Sequence, residues 1–146
     1  METLDVALRL IAATVAGGAL GINRDLHAKP TGVRTLGLVS LGAAIATLAG
    51  IEIAGGEGAT RVMQGVLTGI GFLGAGVIMR PAAGFHIHGL TTAAATWLTA
   101  CIGIVCGVGS WRVLGFGLVL AFLLLIFGGP LEKVLRRNLG QKDDDS

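Results

Sequence analysis

The stretch VMQGVLTGIGFLGAGVIM, residues 62–79, runs for 18 residues without a charge between Arg61 and Arg80. Crossing the roughly 30 Å hydrocarbon core of a bilayer as a helix takes about 17 to 25 apolar residues, and ionisable groups are what that core excludes. Outward from this stretch, residues 35–51 are uncharged for 17 residues, 113–131 for 19 and 81–111 for 31. The last gap is too long for one span and too short for two with a turn. Its beginning, Pro81-Ala82-Ala83-Gly84-Phe85-His86-Ile87-His88, reads as a loop, so the helix starts near Gly89. The N-terminal span carries Asp5 and Arg9, which lie four apart, share a helix face and can neutralise each other. The expected fold is an all-α polytopic transmembrane bundle of about five spans, at about 4–22, 35–53, 62–79, 89–108 and 112–129.

Composition agrees with lipid as the solvent. Hydrophobic residues make up 53% of the chain and charged residues 14%, against about 25% charged in an average soluble domain. Glycine accounts for 25 of 146 residues, more than twice its ordinary usage of about 7%, without a Gly-X-Y period. Small residues suit membrane helices, whose attraction comes from close backbone approach rather than from expelling water. The chain opens Met1-Glu2-Thr3-Leu4-Asp5, acidic where a secretory signal peptide is basic.

Basic residues in short loops are retained on the cytoplasmic side. With the N-terminus outside, Arg24, Lys29, Arg34, Arg80, Lys133, Arg136, Arg137 and Lys142 fall inside, while Arg9, Arg61 and Arg112 fall outside. Residues 1–132 then form the membrane domain, and residues 133–146 a cytoplasmic tail expected to be disordered. Cys101 and Cys106, five apart on one helix, face different ways and read as small apolar packing residues rather than a redox or metal pair.

Within residues 62–79, Gly65, Gly69, Gly71, Gly74 and Gly76 crowd the helix, at a cost of about 1 kcal/mol each relative to alanine. Glycines on more than one face predict contact with several helices and place this span at the bundle centre, with packing preferred over a ligand-binding break. The small-residue pairs Gly17 with Gly21, Gly65 with Gly69 and Gly103 with Gly107 exceed what five helices need internally, which predicts a homo-oligomer. Thr91 or Thr92 is the expected N-cap of the fourth span.

These segments also carry a family resemblance. Across Gly21 to Gly109 the chain resembles the MgtC/SapB family, through Gly32-Val33-Arg34-Thr35 followed by Leu38-Val39-Ser40-Leu41-Gly42-Ala43, Arg61 ahead of GIGFLGAGVI, and Gly89-Leu90-Thr91-Thr92-Ala93-Ala94 with Trp97. The family's Gly-x-Glu-Arg motif stands here as Gly21-Ile22-Asn23-Arg24, with Asn23 replacing the glutamate. The motif candidates are therefore Asn23, Arg24, Arg34, Thr35, Ser40, Arg61, Thr91, Thr92 and Trp97. The resemblance implies a multi-pass protein of the bacterial inner membrane, linked to magnesium homeostasis and to low-magnesium or intramacrophage adaptation. It also implies a larger membrane complex such as ATP synthase as a partner. Many relatives carry a cytoplasmic regulatory domain after the last helix, with no counterpart in this sequence.

Read without the family, the residues favour binding over transport. Magnesium takes oxygen ligands, chiefly carboxylates and retained waters, and the spans hold no deep Asp or Glu; Asp5, Glu52 and Glu57 sit near the outer ends. Arg24 and Arg34, at the ends of spans one and two, are candidates to clamp carbonyls, Asp25 or a lipid phosphate. His86 and His88, two apart in a loop, do not converge on a shared metal. No catalytic constellation, phosphate loop, zinc spacing or cofactor motif appears, so no enzyme, metal site or nucleic-acid partner is expected. The expected partners are membrane lipids and a second copy of the chain. Regulation through helix contacts is the expected function, with an ion transporter or channel component as the alternative.

Overall fold

The computed structural model describes residues 1–78 and 89–138, and the expectations for Arg80, His86, His88 and residues 139–146 lie outside them. Among the described residues the regular structure is entirely α-helical, with no strand. The helices are α1 (Thr3–Leu26), α2 (Val33–Ile78), α3 (Leu90–Val108) and α4 (Trp111–Asn138). Each is long and apolar enough to cross a membrane.

α2 spans 46 residues, about 69 Å if straight, roughly twice a bilayer core. It is not straight. Ala54 (φ −143°, ψ 25°) and Gly55 (φ 58°, ψ −142°) leave the helical region, and Gly55 supplies the positive φ that an L side chain resists. Beyond this break the chain folds back until Gly50 and Gly58 meet backbone to backbone. The second and third expected spans are thus the two arms of one broken helix. The second arm begins nearer residue 56 than the expected 62, because Glu57 and Arg61 sit one helical turn apart as an exposed pair, 3.9 Å between charged atoms, instead of opening a loop.

Two further boundaries differ from expectation. α1 continues to Leu26, four residues past its expected end, and α4 continues through Pro130 to Asn138, so residues 133–138 are helical rather than tail. Leu131, Glu132, Val134, Leu135 and Arg137 after the proline mostly favour helix, and membrane helices tolerate an internal proline.

α1, α3 and the first arm of α2 form the packed heart. Ala13, Ala16 and Leu20 of α1 meet Leu36 and Ala44 of α2 and Ile102 and Cys106 of α3, with Ala121 of α4 closing one side. Glycine sets these crossings. A Cβ on Gly17 would stand 2.6 Å from the Leu36 carbonyl oxygen and from the Ser40 Cβ, and one on Gly107 would stand 2.8 Å from the Thr47 Cβ. One on Gly21 would strike the Val33 backbone, and one on Gly103 the Ser40 carbonyl. α1 therefore runs antiparallel to both neighbours, and α3 runs parallel to the first arm. The second arm joins this group through Met63, Val66, Leu67 and Ile70, which pack on Ala43, Ala100 and Ile104.

The expected central place of the third span is corrected by these contacts. A Cβ on Gly65, Gly69, Gly71 or Gly76 would meet nothing within 4 Å, and only Gly74 faces a neighbour, Ala93 at 3.5 Å. The arm presents its apolar Val66, Leu67 and Ile70 edge inward, leaving its glycines outward with Phe72, which is 82% exposed. Gly17, Gly21, Gly103 and Gly107, counted as surplus in the sequence, are consumed inside the chain.

α4 is held least. Leu114, Leu118, Phe122 and Leu125 touch the core, while Val113, Phe116, Val119, Leu120, Leu123, Leu124 and Phe127 are exposed. So continuous an apolar face fits lipid rather than water.

Candidate functional site

The site grows from one arginine. Arg24 lies in the last turn of α1, where cationic groups complement the negative end of the helix dipole. Gly21, one turn earlier, lets the start of α2 close over it. As a result Arg24 is only 3% exposed.

Its guanidinium donates from Nε and Nη2 to the Pro30 carbonyl, 3.1 Å in each case, and from Nη2 to the Thr92 hydroxyl oxygen. One side chain thereby ties together the end of α1, the connection to α2 and the first turn of α3. The connection is also stapled by Asp25, whose carboxylate accepts from the Val33 amide at 2.9 Å and caps α2. Gly32 leaves room for that carboxylate, which a Cβ there would displace. Ala28 (φ 50°) and Thr31 (φ 63°) take up left-handed backbone to complete the turn.

The expected threonine cap on α3 is not formed. The N-cap is Gly89, left-handed at φ 92°, with no side-chain cap bond, and its carbonyl accepts from Ala93. Thr92 sits inside the helix, where its hydroxyl oxygen accepts from the buried guanidinium, whereas Thr91 is exposed.

A second arginine holds the opposite end. Arg9 pairs with Asp5 at 2.9 Å, as their spacing predicts, and donates to the Gly107 carbonyl at 2.9 Å. α3 ends there in a left-handed Gly109 (φ 81°), whose N–H reaches the Cys106 and Val105 carbonyls. A cation beside these last carbonyls is favoured by the helix dipole.

Between the two arginines runs a seam of buried hydroxyls: Thr92, Thr96 and Thr99 of α3, and Ser40 and Thr47 of α2. Thr47, Thr96 and Thr99 each donate to the carbonyl four residues earlier, at 2.7 to 2.9 Å. Ser40 is fully buried, its Cβ against Gly17 and its carbonyl against Gly103, and its hydroxyl has no partner among the described residues. The signal for this seam was present in the spacing 92, 96, 99 and 40, 47, one helical face in each case. Threonine in an apolar run, however, reads equally as a small packing residue.

Of the remaining motif candidates, Asn23 is half-buried and offers its carbonyl to His27 Nδ1 at 2.7 Å. Arg34 and Thr35 are exposed in the first turn of α2, Arg61 is exposed at the bend, and Trp97 is 46% exposed on α3. The structure brings Arg24 and Thr92 together and leaves Arg34, Arg61 and Trp97 apart from them. Cys101 and Cys106 are free thiols, Cys106 being part of the core. Among the described residues no three His, Cys, Asp or Glu side chains lie close enough together to hold a metal ion.

The chain is similar to Protein SrpB of Synechococcus elongatus, at 36% identity across 92% of this chain and 79% of that protein. It is similar to Protein MgtC of Brucella abortus, at 40% identity across 68% of this chain and 41% of the relative. Protein MgtC of Salmonella typhimurium is likewise 40% identical, across 72% of this chain and 44% of the relative. The chain thus spans less than half the length of these MgtC relatives. No solved structure matches it. With the MgtC family model matching residues 10–134, the chain belongs to the MgtC family and is a membrane protein of that type.

Proposed function

We propose that this chain is a regulatory membrane protein of the bacterial inner membrane, tied to magnesium homeostasis and to low-magnesium or intramacrophage adaptation. It acts by binding membrane partners, neither catalysing a reaction nor conducting the ion. Family membership supports the magnesium link, and ATP synthase is the family-level candidate for a larger complex. In this proposal α1, the two arms of α2, α3 and α4 make five crossings, with the N-terminus outside and the C-terminus cytoplasmic, in keeping with the excess of basic residues at one end. Self-association uses the outward face of Gly65, Gly69 and Gly76.

The observation that carries the choice of binding over transport is the buried Arg24. A magnesium ion following the interface of α1, α2 and α3 would meet this guanidinium, which has no ion-pair partner among the described residues, at one end and the Arg9–Asp5 pair at the other. At 5 Å and an effective dielectric of about 20, a single positive charge repels a divalent ion by about 7 kcal/mol. Along the way the Thr47, Thr96 and Thr99 hydroxyls are already turned to their own helices, and among the described residues no carboxylate is buried between the two arginines.

The test is purified protein in liposomes loaded with a magnesium-sensitive dye, alongside extraction of native membranes in mild detergent. The expected result is flux no greater than from empty vesicles and co-migration with a larger complex. Saturable magnesium flux abolished by Thr92→Val would establish the transporter alternative.

A further inference from the structure

The two arms of α2 touch at Gly50 and Gly58. Toward their other ends, Arg34, Thr35, Leu38 and Val39 of the first arm and Leu73 of the second line an open groove of about 440 Å³. Its walls are apolar and its mouth is cationic. Arg34 is exposed and takes part in no ion pair among the described residues. It also occupies the first turn of α2, where a cation opposes the helix dipole and the amides lack intrahelical acceptors. The one carboxylate close in sequence, Asp25, is spent on the Val33 amide. Lys29 is exposed in the connection just before α2, so this end is positive beyond Arg34 alone.

We propose that this groove seats an anionic phospholipid, its phosphate on Arg34 and the free amides of the first turn, and an acyl chain along Leu38, Val39 and Leu73. Basic recesses between membrane helices are suited to such headgroups, and the guanidinium fork matches a phosphate bidentately. The occupant follows from charge and shape together. A second copy docked symmetrically on this patch would bring two cationic ends into one interface, and a free anion would leave the apolar walls unfilled. A phospholipid satisfies both surfaces and does not depend on how the protein regulates its partners.

The test follows thermal unfolding of the full chain in a neutral detergent with added phosphatidylglycerol, phosphatidylcholine or sodium phosphate. The wild-type protein should gain about 3 °C or more from phosphatidylglycerol and little from the other two. Arg34→Gln should lose most of that gain. Leu38→Trp, which fills the groove without touching a charge, should lose it as well, while Arg112→Gln, outside the groove, should keep it. An equal gain from phosphatidylcholine would overturn the proposal, as would reproduction of the effect by phosphate alone or an undiminished gain in Arg34→Gln or Leu38→Trp. A fall in oligomer mass in Arg34→Gln would also overturn it, making the groove a contact between copies.

Discussion

Arg24, in the last turn of α1, donates a hydrogen bond to the hydroxyl of Thr92, in the first turn of α3, across 68 residues of sequence. The bond closes a ring: α1 leads through Pro30 into α2, and α3 returns to the arginine that holds the Pro30 carbonyl. A charged donor buried among neutral acceptors contributes about 1.5 to 3 kcal/mol per hydrogen bond, and more is lost when one partner is removed.

Thr92→Val is accordingly expected to lower stability by about 1 to 3 kcal/mol, and Arg24→Gln by at least as much. Because the two side chains touch, the double variant should be less destabilised than the sum of the single ones, by more than about 0.5 kcal/mol. Thermal or denaturant unfolding of the four proteins in detergent measures this coupling, and strict additivity would mean that the contact contributes nothing.

Glycines of the same sequence type should respond with opposite sign. Gly103→Ala forces a Cβ onto the Ser40 carbonyl and should destabilise the bundle by about 1 to 3 kcal/mol. Gly65→Ala meets open space and should stabilise it by up to about 1 kcal/mol through helix propensity. Melting temperatures of the pair decide the matter; a loss at Gly65 as large as at Gly103 would place the second arm inside the bundle after all.

The connection between α1 and α2 stores backbone strain at Ala28, whose φ of 50° costs an L residue about 1 kcal/mol or more. Ala28→Gly should therefore raise stability, by less than that amount because glycine also loosens the unfolded chain. Its exposed side chain makes the substitution otherwise silent. A melting temperature below that of the wild type would count against left-handed backbone here.

Gly69→Leu should leave the fold of one chain intact, since nothing lies within 4 Å of the added Cβ. If copies associate through the Gly65, Gly69 and Gly76 face, the bulkier side chain should shift the oligomer toward monomer. Mass measured in detergent by light scattering distinguishes this from a variant whose oligomer is unchanged, which would exclude that face.

Much of this architecture was legible because charge is intolerable in a bilayer core: the uncharged gaps found both arms of α2, while the start of α3 at Leu90, beside the expected Gly89, needed the Pro, Gly and His signals inside the longest gap as well. The bend was harder. Glu57 and Arg61 read as loop residues, yet four apart they form a helical pair, so the break shrank to Ala54 and Gly55. Glycine content gave the manner of packing but not its location, since a glycine in sequence does not say which face its helix turns inward. Arg24 and Thr92 were both singled out, but their contact was not, because it depends on Gly21 letting α2 close over the end of α1. The phosphate-class role considered for Arg34 needed the groove beside it to become specific.

The reversal of α2 is what the site, the groove and the proposed five crossings all depend on. Spin labels at Leu38 and Leu73, exposed residues on the two arms, in a protein with Cys101 and Cys106 replaced by serine, give the separation directly by pulsed electron resonance. Both residues line one groove, so the account predicts a distance of about 20 Å or less on the scale of neighbouring helices. A distribution near 50 Å, the length of an unbroken helix between them at about 1.5 Å per residue, would contradict it.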